Sequence, residues 1–403
     1  MILGVLACLA GCKAEHEVAH APTAPQAAQQ VASVRAGSAP IAGPRVAPGA
    51  SFDLTATSEG AVLLWAAGQC DLGLALQRFD PDGAPIGERH TLDACTAGEP
   101  PSALVAELTA AAGGGRIGVT WLVHAGERAS VLATYGPDTA TAWAPVLQLG
   151  AADVSAVSTG ASTTEPQRGL VWLAAASTGQ LRAAWRAPPT PCTGQPGTCA
   201  QLVQQQLPPA AGSSGRPTDT RELPHPCARL LVGSISQRGV WYDAFCALDS
   251  AAGAPMTTAY TIKPEIYYAE AATVLQQCSP RGIAPAERGA AIFGDCADGT
   301  GAVQLIGDNP RTLRGRIART LQCESGRPIV ALHDEHGHVE SYKLTGPRDR
   351  LELWLPDSLA ERGSRAVFTG RRLLIASQQD QRLRLQRYRC EGESVVSEAD
   401  AML

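Results

Sequence analysis

The sequence predicts an all-β fold, and two observations carry this prediction. The first is a unit that recurs along the chain: a turn with Gly or Arg, a short apolar strand often carrying Trp, a polar loop and a second strand. The second is its spacing, because a strand-only repeat of about 40–50 residues is typical of a β-propeller. We therefore expect a seven-bladed β-propeller, with six or eight blades as alternatives. The seven units begin near Gly60, Arg116, Gly169, Gly239, Gly289, Arg327 and Arg371.

The length and composition of the chain fit the same fold. A chain of 403 residues is long for one ordinary core, but each propeller blade buries its faces only against its two neighbours. Apolar residues make up 45% and aromatic residues only 5%, so Ala, Val and Leu must fill much of the space between sheets. The net charge is −5, and the charged residues form no long runs. Both features argue against a nucleic-acid partner, because a phosphate-binding face needs clustered Lys and Arg.

Turns and loops separate the predicted strands. Asp80-Pro81-Asp82-Gly83 is a tight-turn sequence; a calcium loop would need further carboxylates and a closing Glu. From Ala187 to Arg221 the chain is rich in Pro, Gly, Ser and Gln, which predicts a loop, an outer strand near Leu202–Leu207 and a flexible join to the fourth blade. Residues near Ile41 to Leu54 precede the first complete unit. We expect an N-terminal strand to complete the last blade, because an open ring leaves unpaired strand edges.

The first residues carry a different signal. Met1 to Leu9 are almost wholly apolar and lead into Leu9-Ala10-Gly11-Cys12. This resembles the lipobox of bacterial lipoprotein signal peptides. It differs in one respect, because secretory signals begin with a basic region and no Lys or Arg precedes Cys12 here. The resemblance implies a signal peptide over residues 1–11 and a lipid bilayer anchor through acylated Cys12. Lipoproteins retained at the inner membrane usually have Asp directly after the lipidated Cys, whereas this chain has Lys13. The resemblance therefore implies a bacterial cell-envelope protein at the outer membrane, facing either side.

An Ala-, Pro- and Gln-rich segment follows the signal. Residues 12–40 contain too few large apolar groups to offset the entropy of ordering them, so we expect a disordered tether. The propeller domain is expected over residues 41–403.

The remaining cysteines predict disulfides. Ten Cys are left after Cys8 and Cys12, and an oxidising envelope compartment preserves such bridges. No C-x-x-C motif supports a metal site instead. Local spacing gives four pairs and elimination gives the fifth: Cys70–Cys95, Cys192–Cys199, Cys227–Cys246, Cys278–Cys296 and Cys323–Cys390.

Two groups of polar residues are candidates for a site. His333, His336 and His338 with nearby carboxylates would suit zinc or copper, but a polar hairpin turn at Gly337 is the plainer interpretation, so we predict no metal and no cofactor. Acidic residues recur where the first strand of a unit meets its loop. They form either a cation- or partner-binding ring around the channel or a solvated rim. These residues are Asp71, Glu127, Asp243, Asp295, Asp334 and Asp380.

No sequence motif identifies a catalytic centre. A G-x-S-x-G elbow, a P-loop and a dinucleotide-binding G-x-G-x-x-G after a strand are all missing, so no catalytic residue is assigned. The chain resembles the seven-bladed β-propeller lipoproteins of bacterial envelopes. The missing catalytic signature, together with the anchor and the spacer, favours a monomeric binding or scaffold module that presents one face of the ring to an envelope protein, peptide or glycan. The alternative is a glycan hydrolase or lyase with acids from several blades at the central channel.

Overall fold

Strands dominate the computed structural model. It describes residues 41–45, 50–66, 68–96, 98–153, 170–194, 196–209, 219–223, 226–237, 240–248, 255–263, 268–286, 289–305, 310–313, 315–323, 327–333, 339–343, 364–379, 381–391 and 394–397. Within these ranges the regular structure is 28 strands and one 3₁₀ helix, η1 (Cys70–Leu72). By its contacts the chain divides into Met1–Ala36 and Gly37–Leu403, and all described residues lie in the second unit.

Five sheets of the described chain are complete four-stranded blades, each an antiparallel meander in chain order. Blade 1 contains β2 (Phe52–Thr57), β3 (Gly60–Ala66), β4 (Leu74–Phe79) and β5 (Pro85–Leu92). Blade 2 contains β6 (Leu104–Gly113), β7 (Arg116–Ala125), β8 (Arg128–Pro137) and β9 (Leu147–Ala152). Blade 3 contains β10 (Val171–Ala175), β11 (Leu181–Pro191), β12 (Thr198–Gln206) and β13 (Asp219–Leu223). Blade 4 contains β14 (Pro226–Gln237), β15 (Val240–Leu248), β16 (Pro255–Lys263) and β17 (Tyr268–Gln276). Blade 5 contains β18 (Cys278–Ala286), β19 (Gly289–Cys296), β20 (Gly301–Leu305) and β21 (Arg311–Leu313).

Two further sheets of the described chain depart from this plan. The three-stranded sheet contains β22 (Arg316–Cys323), β23 (Arg327–His333) and β24 (Val339–Lys343). The five-stranded sheet contains β25 (Arg365–Phe368), β26 (Arg372–Gln379) and β27 (Arg382–Glu391), with β1 (Ile41–Arg45) and β28 (Ser394–Ser397) both on β27.

The first strands of successive sheets contact one another. The contacts run from β2 to β6, β10, β14, β18, β22 and β25, and β25 contacts β2. This cyclic arrangement of meander sheets is that of a β-propeller, so the predicted all-β propeller is confirmed. The prediction of seven like blades was too regular. Five blades are complete four-stranded sheets, whereas the described part of the sixth sheet has three strands and the last sheet has five, because β1 and β28 both pair with β27.

The N-terminal strand closes the last sheet, as expected. β1 pairs with the first half of β27, with Ile41 opposite Leu385, and β28 pairs with its second half, with Tyr388 opposite Ser397. The outer edge of β27 is therefore covered along its length by strands from both ends of the described chain, which removes an unpaired edge.

The core lies between neighbouring blades. On β7, Trp121 and Val123 pack towards blade 1, whereas Leu122 packs towards blade 3, because successive side chains of a strand point to opposite faces. Gly118 on the same strand lets the blades approach: a Cβ there would lie 2.9 Å from Leu181 Cδ1. As composition predicted, most of the buried apolar side chains are Ala, Val and Leu.

Blade 3 corrects one detail of the sequence analysis. The strand expected from Gly169 is β10, the innermost strand of its sheet, whereas the corresponding predicted strands of blades 1 and 2 are second strands. The segment from Ala187 to Arg221 contains the end of β11, the whole of β12 and the start of β13. The outer strand predicted near Leu202–Leu207 is β12, which is the third strand of its sheet, with β13 outside it. Two prolines at 188–189 suggested a loop, but a register shift between Ala187 and Thr190 accommodates them and pairing resumes at Thr190 opposite Cys199.

The predicted signal peptide (1–11), the lipidation site Cys12 and the tether (12–40) lie outside the described residues. Within the described part, no helix is both long and apolar enough to cross a membrane.

Candidate interaction face

The two ends of the sheets form two different faces. Because consecutive strands are antiparallel, the turns between second and third strands lie at the same end as the connections that lead from one blade to the next. We call this end the upper face; residues 126–127 and 93–103 belong to it. The lower face carries the turns between first and second strands, such as 58–59, and between third and fourth strands, such as 80–84.

All disulfides whose two cysteines the structure describes lie at the upper face. Cys70–Cys95 joins η1 to the connection between blades 1 and 2, Cys192–Cys199 closes the β11–β12 hairpin, and Cys278–Cys296 joins the start of β18 to the end of β19. These three predicted pairs are confirmed.

The remaining predicted pairs are described only in part. Cys246 is disulfide-bonded near the upper end of β15, and the pairing of Pro226 with Ala247 sets the predicted partner Cys227 beside it on β14. The side chains of Cys323 and Cys390 lie outside the description, so their pairing stays a prediction.

The connection between blades 1 and 2 is held at several points. The Cys70 amide donates to the Ala103 carbonyl (2.7 Å), and the Val105 amide donates to the Gly68 carbonyl (2.9 Å). Trp121, fully buried in blade 2, donates its indole N–H to the Ala94 carbonyl (2.9 Å). With the Cys70–Cys95 bridge, these contacts fix residues 93–103 against both blades.

Two leucines project from this fixed region. Leu72 in η1 is 54% exposed and Leu104 at the start of β6 is 57% exposed; they are the exposed large hydrophobic side chains found in the described chain. Gln69 pairs with Leu104, and the Asp71 amide donates to the Pro101 carbonyl (3.2 Å), so both leucines lie along one pair of facing backbone segments. We call Leu72, Leu104 and the exposed Pro100 and Pro101 the leucine patch.

Two acids of the predicted ring are described at loop positions. Asp71 in η1 and Glu127 in the β7–β8 turn are exposed at the upper face. Both follow second strands, so they stand one strand away from the innermost strands of their sheets.

Two other predicted acids lie in strands. Asp295 is the next-to-last residue of β19, where the strand meets its loop as predicted, and its Oδ2 is 2.6 Å from Arg281 Nε. Asp243 instead lies in the first half of β15, because this strand continues past Asp243 to Leu248. Asp334 and Asp380 lie outside the described residues.

The sequence analysis missed the acids that join blades. Asp53 on β2 accepts from the Ala110 amide of blade 2 (2.8 Å) and lies 3.2 Å from Arg365 Nε of β25. Glu107 on β6 accepts from the amides of Leu170 (2.9 Å) and Val171 (3.2 Å) at the start of blade 3. In the sequence, each of these residues is recognisable only as an acid within an apolar strand. Their bonding partners could not be predicted, because acceptors and donors are 57 to 64 residues apart.

A third buried acid acts in the same region. Asp153, after β9, is 3% exposed, and its Oδ2 lies 2.8 Å from Arg186 Nε of β11. Asp53, Glu107 and Asp153 thus all contact groups of a neighbouring blade, which is a structural role.

At this end of the sheets, burial affects the titration of His124. It lies at the end of β7 opposite Leu104, and its Nε2 is buried with no hydrogen-bond partner in the part of the chain that the structure describes. Removal from water disfavours the imidazolium, so burial lowers the pKa of His124 below its usual 6.5.

The candidate metal ligands lie outside the described side chains. Residues 334–338, which hold His336 and His338, and the side chain of His333 lie outside the description. Among the residues that are described, no three His, Cys, Asp or Glu side chains come together as a metal site would require.

Known proteins resemble this chain only distantly. No protein-family model and no curated protein matches it. Among solved structures, an acylaminoacyl peptidase in complex with Z-Gly-Gly-Phe-chloromethyl ketone is 8% identical (TM-score 0.40), covering 73% of this chain and 46% of the peptidase. A Trypanosoma rangeli sialidase is 10% identical (TM-score 0.40), covering 84% and 59% of the two chains. The β-propeller domain of the Trilobed protease from Pyrococcus furiosus is 8% identical (TM-score 0.40), covering 73% and 84%. The chain spans less than half of the peptidase, and none of these activities follows for it from such likeness.

Proposed function

We propose that this chain is a binding module that presents the upper face of its propeller to a partner protein. The observation that carries the proposal is the position of the disulfides: Cys70–Cys95, Cys192–Cys199 and Cys278–Cys296 all fasten the upper end of their blades. Loops on a rigid scaffold are the usual carriers of binding residues. Fixing such loops before binding reduces the ordering entropy lost when a partner docks.

The proposal includes a ring of seven blades. Its support is the cycle of contacts among the seven first strands, β2, β6, β10, β14, β18, β22 and β25. In this interpretation the three-stranded and five-stranded sheets are the sixth and seventh blades. The upper face is then a continuous annulus of loops around the channel.

We further propose that the module works at the surface of a membrane in a bacterial envelope. The lipobox-like sequence before Cys12 and the Ala/Pro-rich segment over 12–40 support lipid anchoring and a tether, and Lys13 favours the outer membrane. Disulfides on three blades agree with an oxidising compartment.

The alternative of a glycan hydrolase or lyase has less support. Such an enzyme needs two carboxyl groups about 5–10 Å apart that face one cavity. The buried carboxylates Asp53, Glu107 and Asp153 instead bind amides or Arg side chains of neighbouring blades. A binding role requires no such pair.

Photocrosslinking in the cells that make the protein tests this proposal. A photoreactive residue is placed in the full chain at Glu127 or at Thr193, both exposed on the upper face, or at Thr141, exposed on the lower face of blade 2 as a control. We expect the upper positions to capture one and the same protein and the control position to capture none of it. Capture from Thr141 alone, or no capture from either upper position, would contradict the proposal.

A further inference from the structure

We propose that the leucine patch binds a basic, apolar segment of a partner protein, with its leucines inserted into or against apolar groups of that segment. This inference rests on the proposed binding function and specifies where on the upper face the partner docks and what chemistry it carries.

The apolar exposure is local. Single exposed leucines are common on protein surfaces, but here the exposed large hydrophobic side chains of the described chain, Leu72 and Leu104, stand on adjacent, paired segments. Exposed Pro100 and Pro101 lie beside them. Burying a leucine side chain is worth enough to change a dissociation constant by about tenfold or more.

The patch is rigid before any partner arrives. Leu72 lies in a 3₁₀ turn closed by the Leu72 amide on the Gln69 carbonyl (3.2 Å), two residues from the bridged Cys70. Leu104 begins β6 and lies opposite His124 in the sheet. Rigid, projecting apolar side chains that need no ordering are suited to anchor an interface.

The charges around the patch select the partner. The segments that carry or flank it, 68–73, 93–104 and 126–128, contain four acids and one base among their described residues. Asp71, Asp93 and Glu127 are exposed, Glu99 is partly exposed, and Arg128 is the base. Carboxylates are ionised at neutral pH, so this surface attracts Lys and Arg.

The same charges disfavour two other occupants. Anionic lipid headgroups would be repelled by the acids, which argues against insertion of the patch into a membrane surface. A second copy of this chain docked patch to patch would bring the same acids against one another. A partner that is both apolar and basic satisfies the leucines and the carboxylates together.

A peptide selection tests the inference. A phage-displayed library of random 15-residue peptides is selected on the full-length protein, and enriched peptides are synthesised for affinity measurement. We expect enrichment of peptides that combine Leu, Ile or Phe with Lys or Arg. Leu72→Ser and Leu104→Ser should each weaken binding about tenfold, with melting temperatures like that of the wild type because both side chains are exposed.

The charge requirement is tested with matched variants. Asp71→Asn and Glu127→Gln should each weaken binding about two- to threefold and reduce its dependence on salt. Glu88→Gln, at an exposed position on the outer strand β5, serves as the control and should leave binding unchanged.

The outcomes separate this inference from the proposed function. If selected peptides ignore both leucine variants, or if none is enriched, the leucine patch is not the docking site, and capture from Thr193 still decides whether the upper face binds a protein. Peptides that require the leucines but carry no basic residues would overturn the charge requirement and with it the proposal.

Discussion

The upper and lower faces of this propeller are stabilised in different ways. On the lower face, short turns of neighbouring blades bond to one another: the Ser58 amide donates to Asp138 (3.2 Å), and Arg116 donates to the carbonyls of Gly179 (3.0 Å) and Pro208 (2.7 Å). On the upper face, the described disulfides fasten longer connections or hairpin ends. Neighbouring blades are thus joined at the lower face by hydrogen bonds between short segments, whereas disulfides add covalent fixation to the longer loops of the upper face.

The join between the first blade and the five-stranded sheet follows the pattern of the lower face. Asp80 Oδ1 accepts from the amides of Asp82 (2.9 Å) and Ala84 (2.8 Å), which confirms the predicted tight turn. Thr369 then donates its hydroxyl to the Pro81 carbonyl (2.6 Å), and Arg371 lies 3.2 Å from the Asp82 carboxylate. Short turns thus bind one another without any covalent bridge.

Removing the bridge between η1 and the first connection should give the largest effect. In the chain-entropy model, a loop of 25 residues contributes about 3.5 kcal/mol to the free energy of unfolding. Cys70→Ala with Cys95→Ala should lower stability by about this amount in a urea titration, and should weaken binding at the leucine patch. The matched double variant Cys192→Ala with Cys199→Ala removes a bridge that closes a loop of only 7 residues, and it should lower the free energy of unfolding by about 2.4 kcal/mol. Equal losses for the two double variants would show that loop length does not decide the contribution.

Glu107 tests whether a buried acid joins blades 2 and 3. Glu107→Ala leaves the amides of Leu170 and Val171 without their carboxylate acceptor, which should lower the free energy of unfolding by about 2–3 kcal/mol. Glu107→Gln keeps a carbonyl acceptor and should lower it by less. The exposed Glu88→Ala, measured in the same urea titration, should change it by no more than about 0.5 kcal/mol. If Glu107→Ala behaves like Glu88→Ala, the acid does not hold these blades together.

A smaller effect is expected on the lower face. Thr369→Ala removes the hydroxyl donor to Pro81 and should lower the free energy of unfolding by about 1 kcal/mol. Asp82→Asn weakens two ion pairs of a largely solvated carboxylate, with the exposed Arg371 and the partly buried Arg372, and should lower the free energy of unfolding by less than about 0.5 kcal/mol. Denaturant midpoints of the two variants check this order; the reverse order would show that the charges, and not the hydroxyl, fix the turn.

The sequence predicted the fold better than the site, for a physical reason. Strand periodicity and turn chemistry are local, so the propeller, the Asp80 turn and the short-range disulfides were predictable. Glu107 was not, because its bonding partners lie 63 and 64 residues away and only the folded ring brings them together. Leu72 and Leu104 likewise look like core residues in the sequence. Their exposure follows from the pairing of residues 69 and 104, which no local pattern shows.

The smallest expected effect at the upper face is the contribution of His124 to the pH dependence of the free energy of unfolding. Burial lowers its pKa in the folded state, so the unfolded chain binds a proton more readily than the folded one. Its contribution to stability is therefore constant above the unfolded pKa near 6.5 and declines as the pH falls from there towards the lower folded pKa. In urea titrations at pH 7.5 and 5.5, His124→Leu should lose less stability on acidification than the wild type. If His124→Leu and the wild type lose equal stability, the imidazole is hydrated in solution. The loops above β7 would then open readily, although the Cys70–Cys95 bridge and nearby hydrogen bonds should hold them closed.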